Sequence, residues 1–98
     1  MDALKISEDV QDKLDNKHFV SRKEVEECLA NRMSGVLLED DREKHRTNPP
    51  TQWFLARTNR KRLLKIVFIL RGNEVHLKTA YEANADEINI YCTRGGSY

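Results

Sequence analysis

Ile6, Val10 and Leu14 recur four residues apart, and this spacing predicts a helix from Ile6 to about Lys17. Ser7 is its expected N-cap, and Glu8 and Asp9 suit the positive end of the helix dipole. A second helix is expected over roughly 22–32. Ser21 and Glu24 have the spacing of a capping box, and Val20 and Val25 that of a hydrophobic staple. Val25, Cys28 and Leu29 form its apolar stripe, and Ser34-Gly35 ends it. Val36-Leu37-Leu38 reads as a short strand, followed by a polar stretch from Glu39 to Asn48. Pro49-Pro50 cannot join a central ladder and marks the approach to the next strand. Thr51–Thr58, Arg62–Leu70 and Val75–Tyr81 are strands by their β-branched and aromatic content, joined by turns at Asn59-Arg60-Lys61 and Arg71-Gly72-Asn73-Glu74. Asn84 and Glu87 repeat the capping spacing and predict a short helix to about Cys92, leaving 93–98 as a flexible tail.

The expected fold is therefore α+β, in one domain spanning 1–98. Two N-terminal helices pack on one face of a 3–4-stranded antiparallel sheet, with a short C-terminal helix. A two-residue Gly72-Asn73 loop would set Arg71 opposite Glu74, and Ile69, Val67 and Lys65 opposite His76, Lys78 and Ala80. The other face would then carry Leu64, Ile66, Phe68 and Leu70 beside Val75, Leu77, Thr79 and Tyr81. Being almost wholly apolar, it is the face expected under the helices.

Charge changes this picture. The net charge is only +1. Residues 1–43 hold seven Lys/Arg against twelve Asp/Glu, whereas residues 44–73 hold eight Lys/Arg and no acid. Such a run is a footprint for phosphates or for an acidic protein. No apolar run reaches the length of a membrane span, and the N-terminus has no signal-peptide core, so a cytoplasmic protein is expected. Cys28 and Cys92 lack metal-ligand spacing and read as buried thiols of a reducing compartment.

No phosphate-binding glycine loop, paired Cys/His motif or serine-nucleophile motif is present, so neither cofactor nor metal is implied. RNA carries its own nucleophile, the 2′-hydroxyl. A protein can therefore cleave it with cations that stabilise the phosphorane and a group that moves protons. The candidates for catalysis are Arg62, Lys65, Lys78, Tyr81 and His76, and those for RNA contact are Arg57, Arg60, Lys61, Arg62 and Lys65. Each has a structural alternative. Lys65 and Lys78 also suit a solvated open sheet face, and Arg57, Arg60, Lys61 and Arg62 a solvated turn. Tyr81 and Tyr91 suit a core edge, His76 a bystander role, and His18 a place capping or under the turn after the first helix. His45 falls in the charged loop. Trp53 and Phe54 are able to stack on bases, although strand alternation sends one of them to the core. Glu39-Asp40-Asp41-Arg42-Glu43 lacks a calcium-loop spacing and reads as a solvated loop.

The order of elements resembles the RelE/ParE-like toxin superfamily, and especially the BrnT toxins. The likeness rests on Asn16-Lys17-His18 with Val20 and the second helix, Arg57-Thr58 with Arg62-Leu63-Leu64 across a turn, Val75–Ala80, and Glu87 with Tyr91. It implies ribonuclease action on mRNA and neutralisation by an antitoxin partner, with Arg57, Arg62 and Lys65 as RNA contacts. Two positions depart from the pattern. Thr79-Ala80-Tyr81 stands where those toxins carry Ser-Ala-Arg, and Lys61 where they often have Gly. The 40–58 segment, with Pro49-Pro50-Thr51 and Trp53-Phe54, also resembles small bacterial proteins labelled ADP-ribosyl-dinitrogen-reductase hydrolase. True enzymes of that name are similar to larger all-helical proteins with a two-metal carboxylate site, which has no counterpart here.

Three functions fit these features. They are a toxin-like, metal-independent ribonuclease, a non-catalytic module that docks nucleic acid or an acidic protein, and a small ADP-ribose hydrolase. An exposed edge strand would also permit homo-oligomers.

Overall fold

A computed structural model describes residues 3–40 and 47–98. His45 and most of the acidic run, Asp41 to Glu43, lie outside the described residues. The chain is α+β, with a five-stranded mixed sheet and three helices.

Strand β1 (Leu4–Lys5) leads into helix α1 (Glu8–Lys13), which continues as a π-helical turn over Leu14–His18. Ser7 caps α1, its side chain accepting from the Val10 N–H. The turn stops at Phe19, whose φ of 54° is left-handed. Helix α2 (Arg22–Asn31) has the expected capping box, and its buried residues are Val25 and Cys28. Strands β2 (Leu38–Glu39), β3 (Thr51–Arg57), β4 (Leu63–Arg71) and β5 (Glu74–Glu82) follow. Helix α3 (Ala85–Thr93) is capped reciprocally by Asn84 and Glu87. Among the described residues no helix is long and apolar enough to cross a membrane.

The strand order is β1-β5-β4-β3-β2. β1 runs parallel to β5 and the other neighbours are antiparallel. The expected hairpin register holds at its closed end, where Arg71 faces Glu74 and Ile69 faces His76. Gly72, with φ of +61°, supplies the turn. The register then slips by one residue at Val67/Phe68. Val67 consequently faces Thr79 rather than Lys78, and Lys65 faces Tyr81 rather than Ala80. A bulge of one residue reverses every later side chain. Thr79 and Tyr81, expected under the helices, therefore share Lys65's face, while fully buried Ala80 lies on the other.

Both sheet faces are covered over β3 and β4. On one, α2 packs against Ala56 and Phe54, with the Cys28 thiol 3.5 Å from the Ala56 carbonyl and the Arg32 guanidinium 5.5 Å from the Phe54 ring centroid. On the other, α3 lies over Trp53 and Lys65, and the Trp53 and Tyr91 ring centroids are 5.9 Å apart. Alternation expected only one of Trp53 and Phe54 to be buried. Both are, because the second face also has a cover. The C-terminal residues are tethered rather than loose. Gly96 N–H donates to the Tyr91 carbonyl, Ser97 N–H to Ser34 Oγ, and Tyr98 lies beneath Arg57. Cys28 is buried as expected, and burial pushes its thiol pKa up to about 12. Cys92 is exposed, on the outer side of α3.

Candidate functional site

Among the described residues, the basic side chains of the 44–73 run do not converge on one surface. Arg57, Arg60, Lys61 and Arg62 cluster at the β3–β4 turn, whereas Arg71 sits at the far end of β4, nine residues long and thus roughly 25 Å away. Three separate settings result.

The first is the β3–β4 turn. Arg62 is tied into the fold, with its side chain 25% exposed. Its Nε donates to Glu82 at 2.9 Å, Nη1 to the Phe19 carbonyl at 2.6 Å and to Glu24 at 3.2 Å, and Nη2 to the His18 carbonyl at 3.1 Å. The guanidinium fork thus ties the end of the π-helical turn to α2 and β5. Burial opposes its charge, but Glu82 and Glu24 outweigh burial and raise its pKa. Burial would likewise raise Glu24, yet the Ser21 N–H and Arg62 hold it below its ordinary value. Arg57 donates to the Lys61 carbonyl and lies 5.1 Å from the Tyr98 ring centroid. Arg60 and Lys61 are exposed, and Lys61 has a left-handed φ of 66° where the BrnT pattern favours Gly.

The second setting is under α3. Lys65 was expected on an open face, but its side chain is only 12% exposed and its Nζ lies 2.8 Å from Glu87 Oε2. Tyr81 donates to the same oxygen at 2.7 Å, and Lys65 Nζ sits 4.5 Å from the Trp53 ring centroid. Glu87 Oε1 accepts from the Asn84 N–H, so both of its oxygens are engaged. Burial tends to raise Glu87, but the hydrogen bonds from Asn84, Lys65 and Tyr81 lower it overall. The Tyr81 phenol is pushed up, first by burial and then by its bond to Glu87. The His18 ring stacks on Tyr81 with centroids 5.5 Å apart, and burial and the charges of Lys17 and Lys13 lower its pKa. Tyr91 is buried, its hydroxyl bonded to Ser34 and the Val36 carbonyl. These contacts dock α3.

The third setting is a notch of about 750 Å³ where β1 leaves β5 and the chain turns into α1. Every charged side chain lining it is basic: Lys5, Arg22, Arg71 and Lys78, with His76 among them. Leu4, Ile6, Val10, Ile69 and Leu77 supply its apolar part. The register explains the gathering. Lys5 pairs with His76 across β1–β5, Ile69 pairs with His76 across β4–β5, and Arg71 pairs with Glu74. Lys78 is exposed at the bulge. Carboxylates border the notch: Glu74 lies 3.0 Å from His76 Nε2 and 3.8 Å from Lys5 Nζ, and Glu26 lies 3.7 Å from Arg22. Arg22 also donates to the Leu4 carbonyl at 2.8 Å.

Of the residues expected to act, His76 and Lys78 meet in the notch, Lys65 and Tyr81 meet under α3, and Arg62 belongs to neither. Lys5, Arg22, Arg71 and Glu74 escape sequence reading. Only the Arg71–Glu74 pairing was signalled, by the hairpin register; the approach of Lys5 depends on a two-residue parallel strand that has no periodicity. Among the described residues, no group of three or more His, Cys, Asp or Glu is placed to hold a metal ion. No family model, curated protein or solved structure matches this chain.

Proposed function

We propose that this chain is a toxin-like ribonuclease that engages the RNA backbone in the basic notch beside β1 and cleaves it without a metal. In keeping with its RelE/ParE- and BrnT-like order of elements, it would act in the bacterial cytoplasm and be held in check by an antitoxin-like protein. One observation carries the reading: Lys5, Arg22, Arg71 and Lys78 come from four elements and line one cavity, with the His76 ring, that no acidic side chain lines. Cations gathered this way supply the sequence-independent part of RNA affinity and the field that stabilises a phosphorane. Arg57, Arg60 and Lys61 form a separate basic patch at the other end of β4, outside this binding surface.

A second reading, docking without cleavage, is favoured by the engagement of Arg62 and Lys65 with carboxylates. Purified protein incubated with bulk RNA, together with induced expression in growing bacteria, separates the two. Cleavage and growth arrest, both lost on combined Arg71→Gln and Lys78→Gln substitution, are the expected outcome. Salt-sensitive binding with intact RNA selects docking of nucleic acid, and absence of RNA binding overturns the ribonuclease and the RNA-docking readings, leaving only an acidic protein as the docking partner.

A further inference from the structure

On the ribonuclease reading, we propose that His76 removes the proton from the 2′-hydroxyl, and that Glu74 is the positioning residue for its ring. The two stand two residues apart on β5 and so project from the same face. His76 Nε2 lies 3.0 Å from Glu74 Oε1. A carboxylate accepts only, so in the neutral imidazole Nε2 carries the proton and Nδ1 keeps the lone pair. That is the logic of a base oriented by a third group. The ring side chain is 36% exposed, which leaves an approach for a hydroxyl.

Glu74 of β5 touches this ring, and the charged side chains that line the notch with it come from each neighbouring element: Lys5 from β1, Arg71 from β4, Lys78 from β5, and Arg22 from the start of α2. A phosphodiester held by Lys5, Arg71 and Lys78 brings its ribose to Nδ1. The 2′-oxygen gives its proton to Nδ1 and forms a bond to phosphorus. The bond from phosphorus to the 5′-oxygen breaks, and that oxygen takes a proton from water. The proton on His76 then returns to solvent. Products are a 2′,3′-cyclic phosphate and a 5′-hydroxyl, with no change of oxidation state. The substrate class is accordingly RNA, since DNA offers phosphates but no nucleophile.

The test uses the full chain with a short fluorescent RNA and its all-2′-deoxy counterpart. RNA should be cut to a cyclic-phosphate end, and the deoxy strand should bind uncut. His76→Ala and His76→Gln should each lower kcat by about 100-fold or more while RNA affinity stays within about twofold. Glu74→Gln should lower kcat by about tenfold and displace the rising limb of the pH–rate profile, which a merely structural carboxylate would not do. Wild-type cleavage by both His76 variants overturns the assignment of His76 and leaves the ribonuclease reading standing. An unaltered pH profile in Glu74→Gln overturns the positioning role. RNA bound but uncut by the wild-type protein overturns the ribonuclease reading along with the proposal.

Discussion

Arg62 shows how one side chain decides between a functional and a structural role. Its donors reach two carboxylates and two main-chain carbonyls, so truncation strands partly buried acceptors at the end of the π-helical turn. Arg62→Ala should cost about 2 kcal/mol, as expected for charge-assisted hydrogen bonds. Urea unfolding would show a lower midpoint with an unchanged slope. Arg62→Lys should recover little of this, because an ammonium cannot reproduce the planar fork. If Arg62→Ala unfolds like the wild type yet loses RNA affinity, the residue is a phosphate contact after all. Lys61 offers the opposite effect. Its φ of 66° strains an L-residue, and Lys61→Gly should raise stability by up to about 1 kcal/mol in thermal unfolding. The sequence hinted at this strain, since Lys61 occupies a turn position where Gly is common, but no local signal announced the left-handed Phe19. Arg62 holds the carbonyls of the two peptide groups that flank the Phe19 Cα, those of His18 and Phe19.

At the scale of elements, α2 and α3 were legible to within a residue or two because capping boxes are local and carry their own geometry. Strand β1 and the bulge in β5 were not, because both depend on partners distant in the chain. The bulge matters more. It turns Tyr81 toward Lys65 and so completes the Lys65–Glu87–Tyr81 cluster that fastens α3 over the sheet. Glu87's folded pKa lies below its unfolded value, so its contribution is fully present above the unfolded carboxylate pKa. It is lost as pH falls through the depressed folded value. Acid should therefore loosen α3, and Trp53, the single tryptophan, lies against Lys65 and Tyr91 to report it by fluorescence. Glu87→Gln should flatten that acid limb and cost about 2–4 kcal/mol at neutral pH by leaving Lys65 poorly compensated. Joint Lys65→Met and Glu87→Gln substitution should regain most of the loss, because no ammonium is then left unpaired and the amide oxygen still accepts from Tyr81 or the Asn84 N–H. Failure of the double variant to recover would show that the ion pair fixes the docking geometry of α3 in a way a neutral pair cannot.

Over the whole molecule, β4 separates two basic ends, Arg60 and Lys61 at one and Arg71 at the other, with Lys78 beside Arg71's end. The linear charge run made them look like one footprint; the fold divides them. Matched variants tell which end holds RNA. Arg71→Gln with Lys78→Gln, and Arg60→Gln with Lys61→Gln, each take the net charge from +1 to −1. Any difference between them is therefore positional rather than global. Each lost phosphate contact on a single strand should reduce the slope of log affinity against log salt by about 0.7. The notch pair should thus lose about 1.4 from that slope, and the turn pair close to nothing. Equal losses would mean a strand lying along the length of β4 across both ends, which would move the binding surface away from the notch. A larger loss in the turn pair would place the RNA at the β3–β4 turn, where Arg57 and Arg60 would hold it and His76 would stand too far from the backbone to act.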